Sequence, residues 1–391
     1  MFKNKKILII ADRIHAQPRM TSLSEEFTEL GNEVILYSYS VENIAEHTLS
    51  HVSSSRFKTK IKLFFKKNKL ITDLIGVIKY LIFFPDKYFF KWFVSKRNEI
   101  DTLVNTFEPD VIISSSSPVT AHIIAWRISK KFKIKWCADF RDLWTLNHNH
   151  QGGFIGKYLD QVVEKYIIRS ARWIITTTPS WAKTLSIFYN REVHSVTNGF
   201  CDKKYNLLPK ANSDKYLIRY TGNITENLQR LTFLNFLEAL SKMKKENILF
   251  EIYGPTYSWL KEEINLRNLG EMVKLVGPIS NKDIPKTQID ASLNIIFGCS
   301  YNGFSGGYYL KMFEYLGAKK PILLVSDQRY KEASAVLLKE FNYTYEASSI
   351  DEIVSSIKKA LNNPMLAEDE SHIDNYKYAN IAKQYLNILN E

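Results

Sequence analysis

Short apolar runs alternate with amphipathic helical stretches along almost the whole chain, and this order constrains the fold more than any single motif does. "KILIIA" near the N-terminus reads as a buried parallel strand, a helix over 20–30 closes at Gly31, and "NEVILYSY" is the next strand. After an interruption at 56–106 the alternation resumes. It runs through "DVIISS", a helix at 118–131, "KIKWCADF", the loop "RDLWTLNHNHQGG", a helix at 154–170, "RWIITTT", the helix "PSWAKTLSIF" and "EVHSVTN". Residues 200–214, with Pro209, read as a linker. A second series then begins: "KYLIRYTGN", a helix at 231–244, "ILFEIYG", a helix at 257–269, "VKLVGP", a short helix, "ASLNIIF", a helix ahead of Pro321, "PILLV", a helix at 330–340, "YTYE", a helix at 350–362 and a last helix from about 374. Alternation in both halves predicts an α/β protein of two doubly wound parallel sheets, each covered on both faces. Ligands of such sheets sit beyond the carboxyl ends of the strands, so the predicted active site is a cleft that the two domains face. The predicted boundaries are 1–203, 204–373 and a helix over 374–391 that can cross back to the first domain.

A chain of 391 residues with 45% apolar side chains suits two domains of ordinary size. No uncharged apolar stretch is long enough to span a bilayer. "ILIIA" is too short for a signal sequence and no small-residue cleavage site follows, so it is taken as a first strand. Cys137, Cys201 and Cys299 are far apart, odd in number and without CxxC spacing, which fits a reducing cytosol and neither a disulfide framework nor a zinc site.

The net charge of +12 is concentrated. Residues 56–97 carry twelve Lys or Arg against two Asp, with eleven aromatics among them. Part of that segment must bury its rings while its lysines extend to water. A nucleic-acid groove would also use basic and aromatic residues, but no nucleic-acid motif accompanies them, so no nucleic-acid partner is expected. "KIKLFFKKNKL" and "FFPDKYFFKWF" fit an anionic membrane surface best, with cations on the headgroups and rings at the interface.

The first βα turn, "DRIHAQPRMTS", has no glycine, which disfavours a dinucleotide site. The strongest anion site is instead "SGGYYLKMFEYLGAKKPILLV". Gly306 and Gly307 open a helix whose unpaired N–H groups and dipole favour an anion. Lys311 adds a mobile cation, and Glu314 lies on nearly the same face, where its carboxylate can accept from adjacent ribose hydroxyls. The same spacing equally describes a solvated i,i+3 ion pair on an ordinary helix. His148 and His150 in "NHNH" have no carboxylate or thiol at ligand spacing and read as a solvated loop. "SSSSP" at 114–118 can cap the following helix or contact an acceptor or phosphate at the sheet's carboxyl edge.

"GGYYLKMFEYLGAKKPILL" resembles the donor-site segment of GT-B glycosyltransferases of the retaining, GT4-like kind. "DVIISSSSPVTAHIIAWRISKKFKIKWCADFRDLW", "ITTTPSWAKTL", "VTNGF", "YTGNI", "EIYGP" and "VKLVGPIS" agree in the same order, so the similarity spans most of the chain. The resemblance implies two Rossmann-like domains, with an acceptor-binding first domain and a nucleotide-sugar-binding second one. It implies that Glu314 binds ribose and that Lys311 and Arg230 neutralise the diphosphate. Gly306, Gly307, Tyr308, Gly222 and Asn223 would complete the nucleotide-sugar site, and Arg141 and Asp142 would reach the reacting sugar or acceptor, unless Asp142 is a structural partner of Arg141 that fixes the loop. Arg19, Ser116 and Ser117 would contact the acceptor.

Two departures stand out. Gly306 occupies the position where many relatives carry a Glu eight residues before the ribose glutamate, and the first βα turn offers Pro18, Arg19 and Met20 in place of a glycine pair. The resemblance implies a front-side, retaining transfer with no cofactor and no metal, and the chain has no DxD motif. It also implies a UDP-sugar donor and a lipid-linked or surface-glycan acceptor, at the cytoplasmic face of the membrane.

A different enzyme class is also legible. "GFSGG" at 303–307 matches the G-x-S-x-G elbow of serine hydrolases, with Asp327 and His372 following in order. Five residues separate the preceding strand from Gly303, however, where an elbow needs a sharp turn. A non-enzymatic basic binding protein is the third reading, and it predicts no nucleotide-sugar binding.

Overall fold

A computed structural model of the chain describes residues 4–12, 19–38, 85–86, 88–147, 150, 153–207, 214–299, 306–327, 329, 333–362 and 369–391. The basic segment up to residue 84, Pro18, His148 and the 303–305 turn lie outside these residues. The chain forms two compact units, Met1–Val196 with Ala382–Glu391, and Thr197–Ile381.

Unit 1 holds a six-stranded parallel sheet in the order β2-β1-β3-β4-β5-β6. The strands are β1 (Lys6–Ile10), β2 (Glu33–Tyr37), β3 (Val111–Ser116), β4 (Lys135–Phe140), β5 (Trp173–Thr176) and β6 (His194–Ser195). Its helices are α1 (Arg19–Glu29), α2 (Arg97–Phe107), α3 (Thr120–Phe132), α4 (Gly153–Ile168) and α5 (Pro179–Tyr189). β1 and β3 are buried along most of their length, as strands covered by helices on both faces require.

The serines at the end of β3 are buried at little cost because each has a partner. Ser114 Oγ accepts from Trp136 Nε1 at 2.7 Å and meets His122 Nδ1 at 2.7 Å, Ser115 donates to Asp139 at 3.1 Å, and Ser116 donates to the Asp142 carbonyl at 3.1 Å. At the start of α3, Val119 supplies no side-chain cap. Asp86 supplies it instead, accepting from the Thr120 N–H at 2.9 Å and its hydroxyl at 2.6 Å. Just beyond Asp86, Phe89–Val94 form a π-helical turn that buries Trp92 and stacks Phe89 on Phe93 at 4.9 Å. Within the described part of the basic segment, then, some rings are core. Ala382–Glu391 close unit 1, with Tyr385 against Phe27 at 5.6 Å.

Unit 2 repeats the architecture, with strand order β12-β11-β10-β7-β8-β9. The strands are β7 (Tyr216–Thr221), β8 (Ile248–Tyr253), β9 (Val273–Leu275), β10 (Leu293–Phe297), β11 (Ile322–Val325) and β12 (Thr344–Ala347). The helices are α6 (Asp202–Tyr205), α7 (Glu226–Lys242), α8 (Ser258–Leu266), α9 (Ile284–Ile289), α10 (Leu310–Ala318), α11 (Ala333–Leu338), α12 (Ile350–Asn362), α13 (Asp369–Ile373) and the start of α14 (Tyr378–Asn390), whose remainder from Ala382 belongs to unit 1. Phe297 centres the core, its ring within 5.2–6.3 Å of Tyr220, Phe233, Phe236 and Phe250. The stretch that reads as linker is structured at its start. Phe200 donates to the Tyr376 carbonyl at 3.0 Å and accepts from the Tyr378 N–H at 3.0 Å, and its ring fills the space a side chain at Gly317 would need.

Candidate active site

In unit 2 the carboxyl ends of β7 and β8 and the first turns of α9 and α10 enclose a cavity of about 300 Å³, at the small end of the range for ligand pockets. Thr221, Gly222, Gly254, Ile279, Lys311 and Glu314 are among its lining residues. Two glycines give it its shape. Gly222 has φ +139°, and a Cβ there would collide with the Lys311 ammonium. A Cβ at Gly254 would run into the Gly222 carbonyl. The two strand ends therefore approach backbone to backbone, with Lys311 directly over them.

Lys311 and Glu314 do not pair with each other among the described residues, so the solvated ion-pair reading fails. Lys311 Nζ donates to Tyr220 Oη at 3.2 Å and stands 4.6 Å from the centre of that ring. Tyr220 in turn donates to the Asn223 carbonyl at 2.8 Å, which fixes where its oxygen points. Glu314 accepts from Gln288 Nε2 at 3.2 Å. Gln288, fully buried on α9, also donates to Thr221 Oγ1 at 2.9 Å and accepts from the Tyr205 hydroxyl at 2.7 Å. Burial, and after it the nearby Glu314 charge, push the Tyr205 hydroxyl far above its ordinary range, so it stays a donor. The fully buried Tyr315 hydroxyl accepts from the Thr221 N–H at 3.2 Å and meets Thr221 Oγ1 at 3.4 Å, and burial pushes it up to about 12.

Among the described residues the result is a socket with one cation and one carboxylate, each held by neutral groups that leave its charge uncompensated. α10 opens on Tyr309 with no side-chain cap, so its first N–H groups face the same region. Gly306 is buried, and Gly307 and Tyr308 are half-buried on the approach to this helix. Asn223 is exposed beside Gly222. Arg230 is placed differently. On α7 it pairs with Glu226 and, at 2.6 Å, with Glu263, stands over the Trp259 ring, and does not line the cavity.

In unit 1 the adjacent carboxyl ends of β3 and β4 bring Ser116, Ser117, Arg141 and Asp142 together, since Ser116 pairs in register with Phe140. Arg141 donates to Asp142 at 2.7 Å, and both side chains are partly exposed. Arg19 requires a correction. Its side chain is 1% exposed, and its guanidinium donates to Asp139 at 2.9 Å and to the Val196 carbonyl at 3.0 Å. A buried cation must be matched inside the protein, and this one is. The solvated reading of His150 is also corrected, because it meets Asp160 at 2.6 Å with only a tenth of its side chain exposed. Of the hydrolase set, Ser305 lies outside the described residues, while Asp327 is paired with Arg329 at 2.6 Å and the His372 ring lies on Phe341.

Sequence reasoning missed Gln288 and Tyr205, which carry no motif, and Tyr220 and Thr221, which stand in "YTGNI" beside the two residues it did single out there. Gly254 had a signal in "YGP", a glycine directly after a strand.

No family model matches the sequence, and no curated protein does. Solved structures do. A glycosyltransferase from Rickettsia africae aligns over 98% of this chain and 97% of its own, at 14% identity and TM-score 0.64. Anabaena HepE, solved with UDP and glucose, aligns over 99% of both chains at 13% identity and TM-score 0.61. A UDP-GlcNAc 2-epimerase from Methanocaldococcus jannaschii aligns over 99% of both at 12% identity and TM-score 0.55. The chain thus has the fold of the GT-B glycosyltransferases, two Rossmann-like domains, and at these identities the likeness is one of fold.

Proposed function

We propose that the protein is a retaining glycosyltransferase that moves a sugar from a nucleotide-diphosphate donor, a UDP-sugar, to a lipid-linked or surface-glycan acceptor. The observation that carries this reading is the socket on α10, where Lys311 and Glu314 face one cavity and are held apart by different neutral partners. A diphosphate fits against Lys311, the glycine backbone and the helix N-terminus, and a ribose fits against Glu314. Departure of the nucleoside diphosphate builds charge on its phosphate oxygens, and a preset cation with aligned N–H groups stabilises that charge more than it stabilises the bound donor. Arg230 joins them by leaving Glu226 and Glu263. The exposed pair with Glu226 is worth about 0–1 kcal/mol, and the less exposed Glu263 keeps its second partner, Arg267, at 2.7 Å. Gly306 and Gly307 offer backbone amides to the donor sugar, and Ser116, Ser117, Arg141 and Asp142 are assigned to the acceptor and the reacting sugar. Mobile cations and a helix N-terminus do the work here that a metal does elsewhere, at the cytoplasmic face of a membrane. HepE's complex with UDP and glucose supports the choice of UDP.

The experiment is calorimetric titration of UDP, GDP, CMP and dTDP and their sugars, followed by product analysis. Selective binding of one nucleotide is expected, and binding of none removes this reading. The fold likeness to an epimerase makes a second outcome specific. Conversion of the free donor to an isomeric nucleotide sugar, with no acceptor present, would assign an epimerase.

A further inference from the structure

Helix α4 (Gly153–Ile168) is built inside out with respect to charge. Its two carboxylates are buried: Asp160 meets His150 at 2.6 Å, and Glu164 accepts from the Thr145 N–H at 3.1 Å and the Tyr189 hydroxyl at 2.6 Å. Its exposed side carries rings and cations. Tyr158 is 61% exposed, Val162 53% and Tyr166 55%. At 3.6 residues per turn these positions share one arc with Lys165 and with Arg169 just past the helix, while Leu159 extends the arc on one side. Lys157, Lys165 and Arg169 are exposed, and no described acidic side chain of this helix is. The rings are not loose: Tyr166 packs edge-on against Trp126 of α3 at 5.9 Å and lies under Arg169, while Lys165 sits over Phe188 of α5. Ile187, next to Phe188 in sequence, is 75% exposed.

An exposed apolar stripe of this kind needs a partner. A second copy of the chain would bring two clusters of like charge face to face, with no exposed acid on the helix to answer them. An anionic lipid surface answers both features at once, with headgroups for the cations and the interface for Tyr, Val and Leu.

We infer that α4 is a membrane-docking face that lies along an anionic bilayer surface. This surface is distinct from the basic segment at 56–97, and it does not depend on the glycosyl-transfer reading. The test is co-sedimentation of the full chain with phosphatidylcholine vesicles, with and without phosphatidylglycerol. Binding is expected only with phosphatidylglycerol, and weaker in high salt. Two variants share the burden of proof: Tyr158→Ser with Val162→Ser, which removes insertion, and Lys165→Glu with Arg169→Glu, which reverses charge. The second should lose roughly fivefold or more per position. Unchanged thermal unfolding shows that each variant is folded, and unchanged nucleotide titration shows that the donor socket is untouched. No wild-type binding to phosphatidylglycerol vesicles, or wild-type binding in both folded variants, would overturn the inference. So would a stable dimer that the serine variant dissociates. Absence of nucleotide binding in every form would count against the glycosyl-transfer reading alone.

Discussion

Gln288 Nε2 lies 3.2 Å from Glu314 Oε2, and this one amide sets the geometry of the proposed ribose site. Its other contacts, Thr221 Oγ1 and the Tyr205 hydroxyl, fix which end of the amide points where. Gln288→Met keeps the volume and removes the hydrogen bonds. A buried Tyr205 hydroxyl left unpaired costs about 1–3 kcal/mol, and Glu314 loses its orientation. Affinity for UDP should fall about tenfold, a change of 1.4 kcal/mol, while affinity for the 2′-deoxy nucleotide falls less. Calorimetric titration of both separates a ribose-specific loss from general destabilisation, since the latter would weaken both equally.

Gly222→Ala tests the diphosphate end. The residue sits at φ +139°, and the new methyl would occupy the space of the Lys311 ammonium. The backbone strain alone is of the order of 1–3 kcal/mol. Displacement of Lys311 should also weaken nucleoside diphosphates more than nucleosides. Equal effects on uridine and UDP would show that the glycine serves only the chain turn.

Lys311→Ala and Arg230→Ala should differ in size. Lys311 lines the cavity in the resting structure, so its loss should lower kcat by about two orders of magnitude, near 2.7 kcal/mol. Arg230 must first exchange its Glu226 and Glu263 partners, and its removal should cost less. Steady-state kinetics on both variants rank them, and a wild-type rate for Lys311→Ala would dismiss the socket.

The sheets were legible because a buried parallel strand writes itself as a contiguous apolar run. "DVIISS" became β3 and "ASLNIIF" became β10. Edge strands were overread: "EVHSVTN" yields only His194–Ser195, where pairing on one side ends early. Lys311 and Glu314 were legible as a pair of charges on one helix face. Which partner each takes was not, because Tyr220 and Gln288 reach them from elements 91 and 26 residues away. Arg19 shows the converse error. A cation in a first βα turn reads as a ligand contact, yet the fold brings Asp139 to it from 120 residues on.

The Arg19–Asp139 pair is buried at both ends, 1% and 0% exposed. Removing one partner strands the other's charge in the interior, so Arg19→Met should destabilise unit 1 by about 3–5 kcal/mol. The double variant Arg19→Met with Asp139→Asn should recover part of that loss. Urea denaturation of the wild type, Arg19→Met, Asp139→Asn and the double variant gives the coupling directly, and additive losses would mean that the pair acts through packing alone.

His122 predicts a pH dependence whose sign follows from burial. It lies between Phe140 and Trp136 with Nδ1 on Ser114, and its Nε2 meets no partner among the described residues. Burial lowers its pKa from 6.5 to about 3. The unfolded chain therefore takes up a proton as pH falls below 6.5, while the folded chain stays neutral until about pH 3. The unfolded state binds more protons throughout that window, so stability is complete above pH 6.5 and declines with acid, by up to about 1.4 kcal/mol per pH unit from this group. His122→Phe removes the titrating ring and keeps the packing. Near neutral pH the variant should lose about 1 kcal/mol with the Ser114 hydrogen bond, and on acidification its stability should fall less steeply than that of the wild type. Urea midpoints over a pH series test this by difference, which cancels the carboxylates common to both proteins. Parallel curves would show that His122 is protonated in the folded state.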